Sequence, residues 1–415
     1  MTRNMKDSGV EWIGEIPEDW SIKKLKFVAN IKSGEGITNN ELSENGEFEV
    51  FGGNGVMGRC NKYNVECSRL IIGRVGALCG NVRYVTQKAY VSDNALILDL
   101  KDREIYKFYY YLLHGANLGR LNTSNAQPLI TGTKVLNLYI PNINMKSQFK
   151  IAAFLDKKCT KIDQTIEKEK QVIEKLKEYK QSVITEAVTK GLNPDAPMKD
   201  SGVEWIGEIP EHWRIIKVKH VCNLSGRIGW QGLTSAEYKE EGPYLITGTD
   251  FKKGVIDWNT CVHITEERYE EAKQIQIKNN DLLITKDGTI GKVAIVSNLE
   301  EKASLNGGVL LIRPIKPNIY ITRFMYYILL SRVFWMWFES TKTGNSTIIH
   351  LYQEKFKEFS YTLPLIDEQQ QIADYLDKKC SAIDKIILTK EKIIEKLTEY
   401  KKSLIYECVT GKKEV

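Results

Sequence analysis

Apolar positions recur at alternating steps of four and three residues along two stretches of the chain. The first stretch runs from Leu155 to Ala187, and the second runs from Leu376 to Cys408. This spacing places apolar side chains along one stripe of a helix, and charged residues fill most other positions, as in a coiled-coil seam. We therefore predict two helices of about 35 residues, each roughly 50 Å long at ~1.5 Å per residue. The alternative is two unrelated amphipathic helices, each packed on its own domain.

The two seams carry opposite charges at one equivalent position, Glu169 in the first and Lys390 in the second. A polar seam residue can fix the register of a helix pair, so we predict that these two side chains meet across an antiparallel pair. The alternative is that both side chains extend into solvent. The predicted seam residues are Leu155, Ile162, Glu169, Ile173 and Leu176 in the first helix and Leu376, Ile383, Lys390, Ile394 and Leu397 in the second.

The regions before each helix have a different pattern of short β-rich runs broken by glycines. Examples are "RLIIGRVGALCGNVRYV" and "DLLITKDGTIGKVAIV", in which Arg74-Val75-Gly76 aligns with Lys286-Asp287-Gly288. Glycines inside such runs mark tight turns and close backbone approaches. Aromatic helical stretches follow in both regions, and we expect them to build core. The fold class that we predict is mixed α/β, with two pseudo-symmetric domains separated by two long antiparallel helices.

The chain contains an internal repeat. "MKDSGVEWIGEIPEDW", beginning at Met5, returns as "MKDSGVEWIGEIPEHW" 193 residues later, and the helical segment returns 221 residues later. The halves therefore share a scaffold and differ in the region between. We predict these domains: 1–20, an opening segment; 21–147, a first variable domain; 148–190, a long helix; 191–213, a linker with the repeated opening; 214–366, a second variable domain; 367–415, a second long helix. We also expect the first opening to dock beside Cys408 to Gly411.

Composition and charge narrow the function. The 415 residues carry a formal net charge of +6, and the two helical segments supply most of it. Two similar modules on rigid helices suit an extended object such as B-DNA, where half-sites one turn apart lie ~34 Å from each other. Because the rest of the chain is close to neutral, we expect a partner to contribute to DNA binding. We expect no membrane contact, reduced cysteines and a cytoplasmic location.

No pattern in the chain predicts catalysis. "DGTIGKV" has glycines closer together than a phosphate-binding loop, and Val293 stands where Ser or Thr would hold magnesium. The chain has no Gly-x-Ser-x-Gly elbow. The eight cysteines and five histidines lack metal-ligand spacing. We therefore predict a non-catalytic protein without a metal site.

The ordered duplication resembles the specificity subunits of Type I restriction–modification systems. The resemblance rests on "WIGEIPEDW", on "FGGNGVMGRCNKYN" at 51–64, on "LPLIDEQQQIADYLDKK" at 363–379, and on the twofold order of variable region and helix. It implies two target-recognition domains, each reading a few base pairs of double-stranded DNA. It also implies two modification subunits that carry S-adenosylmethionine and methylate adenine, and restriction subunits that use ATP and magnesium. This chain would hold no cofactor.

The resemblance does not indicate which residues contact bases, so candidates are chosen by chemistry. Arg, Lys, Asn and Gln can pair with base edges, and Ser or Thr can contact phosphate. We predict DNA contacts from Arg59, Arg74, Asn125, Gln127 and Lys134 in the first variable region and from Arg227, Gln231, Lys286, Asn345 and Thr347 in the second. The alternative for each is a turn residue or a solvated surface group.

Two other functions remain open at this level. One is a specificity subunit whose partner combines nuclease and methylase in one chain. The other is a two-headed scaffold that binds proteins and not DNA.

Overall fold

The computed structural model describes residues 3–122, 128–229, 232–342 and 350–415. The chain forms two compact units. Unit 1 contains Met1–Gln171 and Lys390–Val415, and unit 2 contains Val172–Thr389. Both long helices contribute residues to both units, because the beginning of one helix packs beside the end of the other.

The strands of unit 1 are β1 (Met5–Asp7), β2 (Glu15–Pro17), β3 (Ser21–Lys24), β4 (Ala29–Ser33), β5 (Phe48–Gly52), β6 (Gly55–Cys60), β7 (Arg69–Gly73), β8 (Val82–Val85), β9 (Ala89–Val91), β10 (Ala95–Leu100) and β11 (Tyr139–Asn142). Its helices are α1 (Tyr106–Gly115), α2 (Gly132–Leu136) and the first part of α3 (Met145–Lys190).

The main sheet of unit 1 has the strand order β4-β10-β7-β8, and all neighbours are antiparallel. A second sheet has the order β6-β5-β9, in which β5 and β9 run parallel. Leu70 and Ile72 of β7 point into the main core, whereas Ile71 packs with Phe51 and Val91 in a smaller core. This alternation follows the two-residue period of a strand buried on both faces.

The strands of unit 2 are β12 (Met198–Asp200), β13 (Glu208–Pro210), β14 (Arg214–Lys217), β15 (Cys222–Gly226), β16 (Lys239–Ile246), β17 (Phe251–Lys252), β18 (Val255–Ile256), β19 (Val262–His263), β20 (Leu282–Thr285), β21 (Val293–Ile295), β22 (Ala303–Leu305), β23 (Val309–Pro314) and β24 (Ser360–Leu363). Its helices are α4 (Glu266–Glu270), α5 (Thr322–Leu330), α6 (Arg332–Ser340), α7 (Gln353–Lys357) and the first part of α8 (Ile366–Val409).

Unit 2 repeats the sheet topology of unit 1. Its main sheet has the order β15-β23-β20-β21, and its second sheet has the order β19-β16-β22, in which β16 and β22 run parallel. The mixed α/β class that the sequence predicts is confirmed. The aromatic stretches build core as expected, since Phe108 and Tyr109 of α1 and Phe324 and Phe334 of α5 and α6 are buried.

The long helices extend beyond the predicted seam. Helix α3 has 46 residues and α8 has 44, and both begin upstream of the four-three pattern. Their first turns pack on the cores through pairs such as Ile151 and Ala152 of α3. The seam predictions Leu155, Ile162, Ile173, Leu376 and Ile383 are buried, and Leu176, Ile394 and Leu397 are partly buried.

The two helices pair in an antiparallel direction. In unit 1, Lys401 Nζ lies 2.6 Å from Asp163 Oδ2, and Lys390 Nζ lies 2.8 Å from Glu169 Oε2. The later residue of α3 contacts the earlier residue of α8, so the two helices run in opposite directions. The predicted contact between Glu169 and Lys390 is therefore present.

The first opening packs beside the end of α8, as the sequence predicts. Tyr406 donates a hydrogen bond from its hydroxyl to the carbonyl of Ile13, 3.0 Å away. Gly411 has a left-handed φ of +79°, and a Cβ there would lie 2.5 Å from Pro17. In unit 2, Gly191 follows α3 with φ +78° and lies against Trp213. Left-handed glycine ends both helices because a side chain there would be strained.

Candidate nucleic-acid interface

In unit 1, Arg74 lies at the point where β7 leaves the main sheet. Its backbone N–H donates to the carbonyl of Asn94 at 3.1 Å, and its carbonyl accepts from Ile130 at 2.9 Å. Its guanidinium Nη1 donates to Ser33 Oγ at 3.2 Å. Arg74 is half-buried, and its buried Nε makes no hydrogen bond to the described residues. Arg74 therefore joins the end of β7, the end of β4 and the segment before α2.

The glycine-rich motif at 51–64 forms the wall beside Arg74. The turn between β5 and β6 lies on Gly73, where a Cβ would stand 1.9 Å from the carbonyl oxygen of Gly53. Asn81 ties this turn down through a hydrogen bond from Nδ2 to the same oxygen, at 2.6 Å. Only glycine allows this close approach. The motif thus positions the backbone that carries Arg74.

Lys286 takes the equivalent place in unit 2, directly after β20. Its N–H donates to Gly308 at 2.8 Å, and its carbonyl accepts from Leu351 at 2.9 Å, so both backbone bonds of Arg74 recur. The sequence alignment of Arg74 with Lys286 is therefore correct in three dimensions. Beside Lys286, His350 Nδ1 contacts Asp287 Oδ1.

A second basic position recurs on the short helices α2 and α7. Lys134 Nζ donates to the carbonyl of Leu121 at 3.3 Å, and Lys355 Nζ donates to the carbonyl of Thr341 at 2.9 Å. Sequence reasoning selected Lys134 and missed Lys355. The 221-residue offset between the two long helices also separates Lys134 from Lys355, so the sequence repeat could have predicted Lys355.

Lys134 lines an open cleft of about 380 Å³ in unit 1, together with Arg120, Asn122, Thr133 and Asn137. The Arg120 guanidinium carbon lies 5.4 Å from the centre of the Trp12 ring. Burial lowers the pKa of Arg120 from its ordinary value, but arginine keeps its charge at physiological pH. Two cations and several amide and hydroxyl groups in one cleft suit phosphate and base-edge contacts.

Two further predicted DNA contacts, Arg59 and Arg227, each make two hydrogen bonds to other residues of their own unit. Arg59 donates from Nε to Gly46 at 2.6 Å and from Nη2 to Glu47 at 2.7 Å, which holds the loop before β5. Arg227 is 5% exposed and donates from Nε to Leu305 at 2.7 Å and from Nη2 to Ser304 Oγ at 3.0 Å. Arg227 thus lies in the interior of unit 2, and a DNA contact from its side chain stays a prediction.

Five of the predicted contacts lie outside the described residues: Asn125, Gln127, Gln231, Asn345 and Thr347. Among the described predictions, the structure gives Arg74 and Lys286 matching positions and puts Lys134 beside Leu121 and Asn122. These assignments to DNA stay predictions.

The described residues contain no group of three or more His, Cys, Asp or Glu that could hold a metal ion. No helix in the described ranges is long and apolar enough to cross a membrane. All eight cysteines are free.

A family model for the type I restriction modification DNA specificity domain matches residues 17–178 and 210–399. The chain belongs to this family. The two matches cover most of both repeats, so the duplication is a duplication of the specificity domain. The protein is a DNA sequence-specificity subunit of the type I restriction–modification class, and it recognises DNA without catalysing a reaction.

Curated relatives align with this chain over most of their length. The specificity subunit of the type I restriction enzyme MjaVIII from Methanocaldococcus jannaschii is 23% identical, over 96% of this chain and 93% of the relative. The EcoBI specificity subunit from Escherichia coli is 22% identical, over 99% of this chain and 90% of the relative.

Two solved structures share the fold. A chain from work on complex assembly and conformational transition of the type I restriction–modification system has a TM-score of 0.70 and 15% identity, with 96% of this chain and 99% of that chain covered. The HsdS subunit from Thermoanaerobacter tengcongensis has a TM-score of 0.50 and 14% identity, covering 96% of this chain and 98% of that one.

Proposed function

We propose that the two variable regions of this specificity subunit read different halves of an asymmetric, bipartite DNA site, and that the long helices set the gap between the halves. The observation that carries this proposal is the match between Arg74 and Lys286. Each follows the same strand of the same sheet, with the same two backbone hydrogen bonds. Different side chains and loops on equivalent frames would recognise different bases.

Arg74 and Lys286 differ in the hydrogen bonds that they can donate to bases. The planar guanidinium of Arg74 can donate two parallel hydrogen bonds to O6 and N7 of guanine, whereas the ammonium of Lys286 is a single point charge. Lys134 and Lys355 are bonded to the carbonyls of Leu121 and Thr341, which precede α2 and α7, and suit phosphate contacts. Each region thus combines one divergent and one shared cation.

We propose that two copies of a modification subunit dock on the long helices. Exposed residues at helical steps of three and four form one face that is identical in both helices. We call it the repeated face: Lys175, Glu178, Tyr179 and Ser182 in α3, and Lys396, Glu399, Tyr400 and Ser403 in α8. Tyr179 and Tyr400 are 55% and 51% exposed, although aromatic side chains favour burial.

Several exposed positions elsewhere on the same helices have diverged, although Lys157 and Lys158 recur as Lys378 and Lys379. Lys161 corresponds to Ala382, Thr165 to Ile386 and Glu167 to Leu388. Substitution at an exposed helix position changes stability little, so such positions drift freely unless something outside the fold contacts them. Identity on the repeated face supports one kind of partner bound once to each half.

The partners complete the activity in this proposal. Modification subunits carry S-adenosylmethionine and methylate adenine, restriction subunits supply ATP- and magnesium-dependent steps, and this chain holds no cofactor. The complex works on double-stranded DNA in the cytoplasm.

Mapping of methylated adenines in the host genome tests the site proposal. Deletion of the gene is expected to remove one asymmetric, gapped motif. Exchange of residues 21–147 for the first variable region of another family member should change one half of that motif and leave the other half intact. A change in both halves would contradict independent reading.

A further inference from the structure

Two ion pairs between the long helices are the same contact made twice. In unit 1, Lys401 Nζ lies 2.6 Å from Asp163 Oδ2, and in unit 2, Lys180 Nζ lies 2.7 Å from Asp384 Oδ2. The offset of 221 converts Asp163 into Asp384 and Lys180 into Lys401. We call these two contacts the outer pairs.

The ion pair between Glu169 and Lys390 is different, because the same offset converts one of its positions into the other. The pair therefore joins a position of the repeat to its own equivalent. Lys390 Nζ is 2.8 Å from Glu169 Oε2, and the two side chains are only 29% and 19% exposed. Two identical repeats would place like charges at this contact. The attraction exists only because the two copies have diverged here.

The outer pairs cannot distinguish the helix of one repeat from the helix of the other. If α3 paired with α3 of a second copy of this chain in the same register, Asp163 would meet Lys180, an attraction of the same kind. The apolar seam cannot distinguish them either, because Ile162, Ile166, Ile173 and Leu176 recur as Ile383, Ile387, Ile394 and Leu397.

Position 169/390 does distinguish them. Self-pairing of α3 would bring Glu169 against Glu169, and self-pairing of α8 would bring Lys390 against Lys390. Like charges that are partly shielded from water repel each other, and a single polar seam residue is known to select partners in helix pairs.

We propose that the Glu169–Lys390 ion pair favours pairing of the two halves of one chain over pairing of either long helix with the same helix of a second copy. On the proposed function, self-pairing would bring together two identical recognition regions and produce a symmetric site. The pair thereby protects the asymmetry of the site that the complex reads.

Co-expression of two full-length copies with different affinity tags tests the proposal without DNA. The fraction of one copy captured through the tag of the other is measured, and light scattering gives the mass of the captured species. Neutralising both charges with E169Q/K390Q is expected to raise the captured fraction roughly fivefold over wild type, which is the effect of an ion pair of ordinary strength. Exchanging the charges with E169K/K390E is expected to restore the wild-type fraction.

A matched control separates partner choice from loss of stability. D163N/D384N removes the outer pairs both from pairing of α3 with α8 and from self-pairing of either helix. Because both arrangements lose the same contacts, the captured fraction should stay at the wild-type value. The proposal is overturned if folded E169Q/K390Q, checked by thermal unfolding, captures no more than wild type. It is also overturned if D163N/D384N captures as much as E169Q/K390Q. If E169Q/K390Q does not accumulate in cells, K390E is used in its place, because it puts two acidic side chains at the contact in correct pairing as well as in self-pairing of either helix. The captured fraction of K390E must then exceed that of E169K/K390E.

Discussion

At the scale of single residues, the molecule separates basic side chains that face solvent from basic side chains that hold the fold. Arg74 and Lys286 are half-buried and have equivalent backbone bonds. Arg227 is buried and bound to a carbonyl and a hydroxyl of unit 2. All three are basic residues in the sequence, and only their surroundings assign them to different roles.

Arg74→Ala is expected to weaken recognition of one half of the DNA site. A direct base contact would cost about 1–3 kcal/mol at one base pair, whereas a phosphate contact would weaken all sequences equally. Binding of the assembled complex to DNA substituted in each half in turn gives the measurement. Lys286→Ala should affect the other half, and Lys101→Ala, at the opposite end of β10, should change neither. An Arg74→Ala complex with unaltered binding to every site would contradict the assignment.

Arg227→Met is expected to lower the free energy of unfolding by about 2 kcal/mol. The substitution removes hydrogen bonds to Leu305 and Ser304 and leaves buried acceptors without donors. Urea titration measures the change. The matched variant is Arg59→Met, where the half-buried side chain bonds two carbonyls beside solvent and should cost less. The methylated motif should be unchanged in folded Arg227→Met protein, and an altered motif would return Arg227 to the DNA contacts.

At the scale of elements, the long helices carry three kinds of surface. The apolar seam packs into the cores, charged pairs join the helices, and the repeated face is exposed in both copies. The four-three pattern predicts the apolar seam, because the position of the seam depends only on the helix period. That pattern begins only at Leu155 and Leu376 and does not extend to the first turns after Met145 and Ile366, which pack on the adjacent cores.

Tyr179→Ala and Tyr400→Ala are each expected to remove one modification subunit from the complex, and the double variant should remove both. Each tyrosine is more than half exposed, so the thermal unfolding of the isolated subunit should not change. Native mass spectrometry counts the bound subunits. T165A/I386A alters exposed positions that have diverged and serves as the control. Retention of both partners by the double tyrosine variant would exclude this face.

At the scale of the whole molecule, one scaffold is used twice with different surroundings. The main sheets have equivalent strand orders and the openings form equivalent hairpins, in which Lys6 pairs with Ile16 and Lys199 pairs with Ile209.

Both cores enclose ionisable groups. Burial raises the pKa of several thiols and phenols: Cys159 and Cys380 to about 11, and Cys222, Cys261, Cys408, Tyr106, Tyr109 and Tyr326 to about 12.

The free energy of unfolding is therefore expected to fall as the pH rises above about 9. Unfolded cysteines lose their protons near pH 9 and unfolded tyrosines near pH 10, while the folded state keeps those protons until about pH 11 to 12. The unfolded state then binds fewer protons, and stability decreases with pH through that interval. Urea midpoints between pH 7.5 and about 10.5 measure the slope. C222A/C408A should reduce the slope relative to C67A, and equal midpoints at all pH values would refute the expectation.

The sequence by itself determined the duplication, the helical seams, the mixed α/β class and the contact between Glu169 and Lys390. These features depend on periodicity and on the offset between repeats, which are local or arithmetic properties of the chain. Only the tertiary structure decided that Arg227 is interior, that Arg74 and Lys286 make the same two backbone hydrogen bonds, and that Lys134 and Lys355 each donate to a backbone carbonyl. Those outcomes depend on which distant carbonyls, turns and strands approach each side chain, and such contacts arise from packing between segments that the sequence separates.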